Sequence, residues 1–186
     1  MSQTTTANTV HPSGTWEIDA AHTTVGFTVR HMMLAKVRGH FAVTSGTIHI
    51  EDDPLQSSVT VTIDAASLDT RDPNRDTHVK SPDFLDVEKH PTIEFASTSV
   101  RQTGDGWEVD GNLTVHGVTR PVTLELEHTG IAKDPWGNTR TGFEATTEIS
   151  RSDFGLEWNQ ALETGGVVVG DKVKVEIQVE AVAQQS

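Results

Sequence analysis

The sequence predicts an all-β fold, an extended antiparallel barrel of about eight strands with a short helical covering segment. Apolar and polar residues alternate along eight or nine segments, which is typical of strands with one buried and one wet face. Turn signals such as Gly104-Asp105-Gly106 and Pro135-Trp136-Gly137-Asn138 separate these segments and predict hairpins. The stretch 71–95 interrupts the alternation, and a long break of this kind in a β protein is usually a covering segment or a binding loop.

The first strands place a histidine on the apolar face. Residues 15–19 predict a short strand that carries Trp16 and Ile18. The next strand has four residues on one face, which are Val25, Phe27, Val29 and His31. We therefore expect His31 to point inward. His49 lies between Ile48 and Ile50, so the same parity places it on the outer face.

The later strands repeat the pattern without a fixed repeat length. Their inward positions are predicted to be Val37, Gly39, Phe41, Val43, Ile48, Ile50, Val59, Val61, Ile63, Ile93, Phe95, Trp107, Val109, Gly111, Leu113, Val115, Val122, Leu124, Leu126, Phe143, Ala145, Thr147, Ile149, Val173, Val175, Ile177, Val179 and Ala181. A second irregular segment, 152–170, precedes the last strand.

The sizes of the inward residues favour a barrel over a sandwich. The chain has six Phe, four Trp and no Tyr, so bulky side chains are few for so many strands. A sandwich core is packed to high density, whereas a barrel of about eight strands can hold one small ligand. We therefore expect an elongated apolar cavity.

Length and composition limit the possible functions. The 186 residues suffice for one domain, which we predict over 14–186 after a disordered tail over 1–13. The net charge of −13 disfavours nucleic acids and anionic membranes as partners. No cysteine is present, which excludes disulfides, thiolate metal sites and thiol nucleophiles. The N-terminus has neither a basic segment nor an apolar run, and no stretch is long and apolar enough for a membrane helix, so a cytoplasmic location is predicted.

The covering segment contains a predicted helix start at Ser81-Pro82-Asp83, with the proline just inside it. Phe84, Leu85 and Val87 supply a small apolar face, and His90-Pro91 ends the turn because the residue before a proline avoids the helical conformation. This face predicts that the segment covers the cavity, either as a structural plug or as a gate.

Several polar residues are candidates for chemistry, each with an ordinary alternative. His31 is either a hydrogen-bonded core residue or a contact for a ligand's head group. Arg71, Arg75 and Lys80 can receive an anion or pair with nearby aspartates. A separate possibility is that three residues chelate a metal, although such loops are commonly turns: Asp72, Asp76 and His78. His116 ends a strand, which would place it near a rim.

Six segments of the sequence resemble one family in order. They are WEIDAAHTTVGFTVRH at 16–31, VRGHF at 37–41, RDTHV at 75–79, SPDFLDVEKHPTIEF at 81–95, GNLTVHGVT at 111–119 and SRSDFGL at 150–156. The chain resembles the YceI-like family of polyisoprenoid-binding proteins with a lipocalin-like barrel. The resemblance implies a lumen that holds a long isoprenoid or similar lipid. Its recurrent polar positions match His22, His31, Arg75, Asp76, His78 and His116. Many members carry a secretion signal, which this sequence does not show.

The predicted function is non-catalytic binding, storage or transport of a long-chain isoprenoid or similar lipid, such as a polyprenyl lipid or a quinone. An enzyme acting on a lipid head group and a stress-related structural module are the alternatives. No catalytic residue, metal or cofactor other than the lipid is predicted, and the partners expected are a long apolar molecule and possibly a second copy of the chain, without nucleic acid or stable membrane insertion. The predicted ligand-binding residues are Phe27, Val29, His31, Phe41, Arg75, His78, Phe84, Leu85, Phe95, Leu113, His116, Phe143, Phe154 and Trp158.

Overall fold

Ten antiparallel strands form one sheet that closes on itself. The computed structural model describes residues 13–163 and 165–184, so the predicted tail lies outside the described residues except for Ser13. The strands are β1 (Gly14–Ile18), β2 (Thr24–His31), β3 (Ala35–Phe41), β4 (Val43–Ile50), β5 (Ser58–Asp64), β6 (Thr92–Thr103), β7 (Gly106–Val115), β8 (Val118–Lys133), β9 (Thr139–Ser150) and β10 (Val169–Ala183). One α-helix, α1 (Pro73–Lys80), and short 3₁₀ turns at Ala20–His22, Pro54–Gln56, Ala65–Ser67 and Arg151–Phe154 complete the described elements.

Eight of the strands form the closed ring. Its order is β1-β4-β5-β6-β7-β8-β9-β10, and β10 returns to β1 through the pairs Trp16–Ala183, Glu17–Val182 and Ile18–Ala181. The earlier part of β10 pairs with β2, which in turn pairs with β3. β1 and β2 therefore occupy successive stretches of the same edge of β10. The antiparallel barrel of about eight strands with a helical covering segment, predicted from the alternation, is confirmed.

A capped turn separates β1 from β2. The Asp19 carboxylate accepts a hydrogen bond from the Ala21 backbone N–H at 3.0 Å and lies 2.9 Å from Nδ1 of His22. The Asp19 backbone N–H donates to the Glu180 carbonyl on β10 at 2.8 Å, so the break in the strand stays attached to its neighbour. The chain can thus change direction without losing its place at the edge of β10.

The helix of the covering segment starts earlier than predicted. α1 begins at Pro73, with Asp72 as its N-cap: the Asp72 carboxylate accepts from the Asn74 and Arg75 backbone N–H groups. It ends at Lys80, and the C-cap Ser81 takes an extended conformation before Pro82. The predicted helix start at residues 81–83 is therefore wrong. The Asp-Pro pair at 72–73 satisfies the same capping rule, and the proline at position 82 stops the helix instead of starting it.

The inward side chains of the barrel differ in how much accessible surface they keep. Trp16, Ile18, Ile48 and Ile50, on β1 and β4, are almost completely buried. The inward residues of β8 and β10 are only half-buried although they point into the barrel; they include Val122, Leu124, Leu126, Val175 and Ile177. Their remaining accessible surface faces an internal cavity and not close-packed neighbours.

An ionic cluster at one end of the barrel ties three strand ends together. Nη1 of Arg140 on β9 lies 2.8 Å from Oδ2 of Asp19 and 3.3 Å from Oε1 of Glu180, and its Nε lies 2.8 Å from Oδ2 of Asp134. Chiefly through the hydrogen bonds from Arg140, the pKa values of Asp19 and Asp134 are lowered to about 2.

We expect Arg140→Gln to weaken the dependence of stability on acid pH. In the unfolded chain both carboxyls have an ordinary pKa of 3.8, so the stability they contribute is present above that pH and is lost as the pH falls toward 2. The variant should melt at a lower temperature than the wild type at about pH 7, and the difference should shrink as the pH falls from the unfolded-state pKa of 3.8 to the folded-state pKa of about 2. Thermal melts across this range measure both effects.

The control is Arg38→Gln, which removes an exposed arginine on β3. It should leave the pH profile unchanged. An equal difference between the Arg140 variant and the wild type at neutral and acid pH would show that the cluster does not act through these two carboxylates.

Candidate functional site

The barrel encloses an apolar cavity of about 810 Å³. Each of the ten strands contributes at least one inward apolar side chain to its wall, for example Val25 on β2, Phe95 on β6 and Phe143 on β9. The cavity extends from Trp107, beside the β6–β7 turn, to Trp158 in the irregular segment before β10. Its volume falls in the upper part of the range for small-molecule sites, and its apolar wall with few polar groups is typical of them.

Glycines opposite aromatic rings shape the interior. A side-chain carbon at Gly39 would lie 2.5 Å from Cζ of Phe27, and one at Gly111 would lie 2.4 Å from Cζ of Phe95. The two phenylalanine rings therefore lie flat across a neighbouring strand at positions where any side chain would collide with them. This arrangement keeps bulk against the wall and leaves the middle of the barrel open.

Most of the predicted binding residues line this cavity. They are Phe27, Val29, His31, Phe41, Arg75, His78, Phe84, Leu85, Phe95, Leu113, Phe143 and Trp158. His31 is half-buried and faces the cavity, whereas His49 is exposed, as the strand parity predicts. Which of these residues contact a ligand stays a prediction.

His116 and Phe154 are not among the residues that line the cavity, and whether either contacts a ligand stays a prediction. Phe154 is 1% exposed and packs into the hydrophobic core beside the barrel wall. His116 lies in the turn between β7 and β8, where Nδ1 is 3.3 Å from the Phe154 carbonyl oxygen. The strand end did place His116 at a rim, but its ring packs on His90 of the covering segment.

The covering segment closes one end of the cavity with an aromatic cluster. The ring of His78, on α1, lies 5.2 Å from that of Phe84 and 4.7 Å from that of Trp158, edge to face in both cases. The Phe84 and Trp158 rings are 5.2 Å apart. Phe84 is 7% exposed and Leu85 is buried beside it, and both line the cavity. Two residues of the apolar face predicted for this segment, Phe84 and Leu85, thus cover the cavity, whereas the third, Val87, packs against the hydrophobic core.

Arg75 anchors the segment to the chain that leads into it. Its guanidinium donates through Nε to Oγ1 of Thr70 at 2.9 Å and through Nη2 to the Thr70 carbonyl at 2.7 Å. Asp76 accepts hydrogen bonds from the backbone N–H and hydroxyl of the same Thr70. Nη1 of Arg75 also lies 3.9 Å from the Asp72 carboxylate, so the alternative of local pairing holds for this arginine.

The metal alternative at Asp72, Asp76 and His78 finds no support among the described residues, because these three side chains do not converge on one point. Nε2 of His78 instead lies 2.8 Å from the Asp83 carboxylate. A different set, Asp86, His90 and His116, does come together, outside the cavity lining.

Arg151 is a buried cation that sequence reasoning missed. It is 7% exposed, and its guanidinium donates to the backbone carbonyls of Gly170, Leu156, Trp158 and Val169 at 2.8–3.3 Å. Among the ion pairs of the described chain none involves Arg151, and burial lowers its pKa. Its Cζ lies 5.6 Å from the centre of the Phe84 ring. The only sequence feature that could have pointed to this buried cation is the position of an arginine directly after a long strand, within the SRSDFGL segment at 150–156.

An eight-stranded antiparallel barrel around an apolar cavity defines the class of lipocalin-like barrels. The YceI-like domain matches residues 16–181, and the chain belongs to the YceI-like family. It is 42% identical over 136 residues to a UPF0312 protein of Serratia proteamaculans, covering 73% of this chain and 71% of the relative. It is also 40% identical over 140 residues to protein YceI of Escherichia coli, covering 75% and 73%.

Solved structures share the fold. BcnA of Burkholderia cenocepacia superposes with a TM-score of 0.72 at 24% identity, covering 88% of this chain and 98% of that one. A polyisoprenoid binding domain from Saccharophagus degradans, described as implicated in plant cell wall breakdown, gives 0.69 at 15% identity, covering 91% and 98%. At these identities the likeness concerns the fold. None of the described helices combines the length and apolar character needed to span a membrane.

We expect Arg151→Met to destabilise the protein by about 2–4 kcal/mol, because a hydrogen bond to a charged group contributes roughly 1.5–3 kcal/mol and several carbonyls lose their donor. Denaturant unfolding measures the loss. Arg151→Lys keeps the charge but cannot reach the same carbonyls at once, so it should recover only part of it. Full recovery by lysine would mean that charge, and not the shape of the guanidinium, is what the site needs.

Proposed function

We propose that the protein binds a long apolar molecule, an isoprenoid or a similar lipid chain, inside the barrel and does not convert it chemically. The observation that carries the proposal is the cavity of about 810 Å³, whose wall is built from inward apolar side chains of all ten strands. The Saccharophagus degradans domain, which shares the fold, is described as polyisoprenoid-binding, and this supports the same ligand class. Storage or transport of such a molecule is the role that fits a binding barrel, and a cytoplasmic location remains part of the proposal.

The exposed surface inside the barrel supplies the binding energy. Half-buried residues such as Val122, Leu126 and Ile177 would lose their remaining accessible surface to a bound chain. At ~0.8 kcal/mol per buried CH₂, one five-carbon unit contributes on the order of 3–4 kcal/mol. Association costs roughly 4–15 kcal/mol, so a chain of one or two units gains little and a longer chain gains much.

The polar groups at one end suggest how the ligand is oriented. His31 at the end of β2, His78 on α1 and the buried Arg151 all line the cavity near Trp158. The opposite end, near Trp107 and Leu126, also has polar lining residues, Gln102, Asp105 and His128, but no arginine of the described chain lines it. We therefore propose that the polar head of the ligand lies near Arg151 and that its chain runs toward Trp107.

One observation favours catalysis as a second candidate. His78 lines the cavity and its Nε2 lies 2.8 Å from the Asp83 carboxylate, which is the orientation a carboxylate gives to a general base. The His78 ring, however, is packed edge-on against both Phe84 and Trp158, as a structural residue would be. If the pair were catalytic, mass spectrometry of a loaded ligand would reveal a product that His78→Asn does not form.

We predict that affinity rises with chain length. Isothermal titration calorimetry on a series of prenyl alcohols of increasing length should show tighter binding for each added unit and a negative heat-capacity change, because apolar surface is buried. Affinity that follows the head group and ignores chain length would contradict the proposal.

Two tryptophan variants of β8 separate the lumen from the outer surface. Val122→Trp places a large ring in the cavity and should abolish binding of the longest chains, whereas Glu125→Trp places the same ring on the exposed outer face and should bind as the wild type does. Equal binding by both variants would show that the ligand is not held in the barrel.

We also predict that the covering segment gates the cavity. Phe84→Ala should lower stability by about 3 kcal/mol, toward the lower part of the range for such truncations because one side of the ring faces the cavity. It should also speed ligand release at temperatures where the variant is fully folded. A melting curve and a dissociation rate from the same sample test both effects.

Trp136→Ala is the matched control, since that aromatic ring is 81% exposed and its removal should change neither quantity. A lowered melting temperature with an unchanged release rate would identify the segment as a structural plug and not a gate.

A further inference from the structure

Three side chains with metal-binding groups meet between the covering segment and the barrel. Asp86 and His90 belong to the covering segment, and His116 belongs to the turn between β7 and β8. One ligand atom from each lies within 4.8 Å of the others, and all three residues are half-buried. The two imidazole rings are in edge-to-face contact, with centroids 4.9 Å apart.

The backbone holds these residues in place by local structure. Val115 and Val118 form the last pair of β7 and β8, so His116 and Gly117 make a two-residue turn with φ values of 56° and 70°. The Asp86 carbonyl accepts the His90 backbone N–H at 2.9 Å, which closes the turn that brings these two side chains to one side. A side-chain carbon at Gly117 would lie 2.8 Å from Cε1 of His90, so the His90 ring rests directly on the glycine of the hairpin.

The donor atoms are available to an ion. Nδ1 of His116 faces the Phe154 carbonyl at 3.3 Å, and since a carbonyl only accepts, the proton belongs on Nδ1 and Nε2 keeps its lone pair. Metal-binding histidines use this arrangement, in which a carbonyl fixes the tautomer from the side opposite the ion. Within the described chain, no hydrogen bond or ion pair engages the Asp86 carboxylate or the His90 ring. The ligand atoms of Asp86 and His90 thus lie close to each other and to His116 without a hydrogen-bond or ion-pair partner among the described residues.

We propose that Asp86, His90 and His116 bind a divalent transition-metal ion of the zinc type. Two imidazoles and one carboxylate form a ligand set that zinc accepts, with water in the fourth position. In a tetrahedral zinc site the ligand atoms lie roughly 3.4 Å apart, so the three side chains must draw together by about 1 Å, which rotation of the imidazole rings allows. The net charge of −13 favours the approach of cations.

The ion would fasten the covering segment to the barrel. Phe84 and Leu85 point into the cavity immediately before Asp86, so a bond between Asp86, His90 and the β7–β8 turn holds the apolar face of the segment in the closed position. This inference does not depend on which molecule occupies the cavity. Metal binding therefore restricts the opening of residues 81–91 whether or not the barrel holds a lipid.

The test is a calorimetric titration of the full chain, first treated with a chelator, with Zn²⁺ in a non-coordinating buffer. The wild type should bind one ion. Loss of a direct ligand should weaken binding by at least about 100-fold, the upper part of the range for losing only a supporting partner. The variants are His90→Ala, Asp86→Asn and His116→Asn. Asparagine is chosen at 86 and 116 because it tolerates the positive φ of 46° and 56° found there.

His49→Ala removes an exposed histidine of the outer face and should bind Zn²⁺ as the wild type does. Melting curves without metal confirm that each variant is folded. Hydrogen exchange with mass spectrometry supplies the second readout: Zn²⁺ should slow exchange of the peptides covering 81–91 in the wild type and leave His90→Ala unchanged. Three results would each overturn the proposal. The first is the absence of one-to-one binding by the wild type, and the second is binding by His90→Ala and His116→Asn that is as tight as that of the wild type. The third is metal binding without slower exchange over 81–91.

Discussion

Strand β10 is the element on which the barrel depends, because it pairs along both edges over nearly its whole length. One edge binds β9 from Lys172 to Val182. The other edge binds β2 over its first part and β1 over residues 181–183. The two short strands thus act as one broken strand, joined by the turn at Ala20–His22. Without the three pairs to β1, the ring would open between β1 and β10, and two edges with unpaired backbone groups would result.

The closed ring explains why the interior is hollow. Closure of eight strands fixes a diameter at which side chains just fill the interior or leave room for one ligand. Here the inward residues are mostly valine, isoleucine and leucine, and the rings of Phe27 and Phe95 lie against Gly39 and Gly111. Bulk is kept at the wall, so the middle stays open. The cost is that residues such as Leu124 are only half-buried, and a bound apolar chain would recover that hydrophobic stabilisation.

Properties that depend on strand alternation could be predicted from the sequence, and properties that depend on contacts between distant segments could not. Alternation placed His31 inside, His49 outside and the aromatic residues on the wall, because a period of two leaves only two faces. It gave no information on Arg151, whose hydrogen-bond acceptors are carbonyls of the irregular segment and of the start of β10, up to nineteen positions away. For the same reason, alternation could not show that Phe154 packs into the core without itself lining the cavity.

The covering segment shows how local sequence can be understood only with its tertiary contacts. Two proline-containing starts, at 72–73 and at 81–82, satisfy the same capping rule, and the one that forms a helix is the one whose aspartate side chain reaches two backbone N–H groups. The remaining residues then turn sharply, so that Phe84 and Leu85 face the cavity while Asp86 and His90 face the rim of the barrel. A short segment therefore has an apolar side that a ligand can contact and a polar side that an ion can hold. Occupancy of either side stabilises the same closed position, and by linkage a ligand and an ion that both prefer this position must strengthen each other's binding.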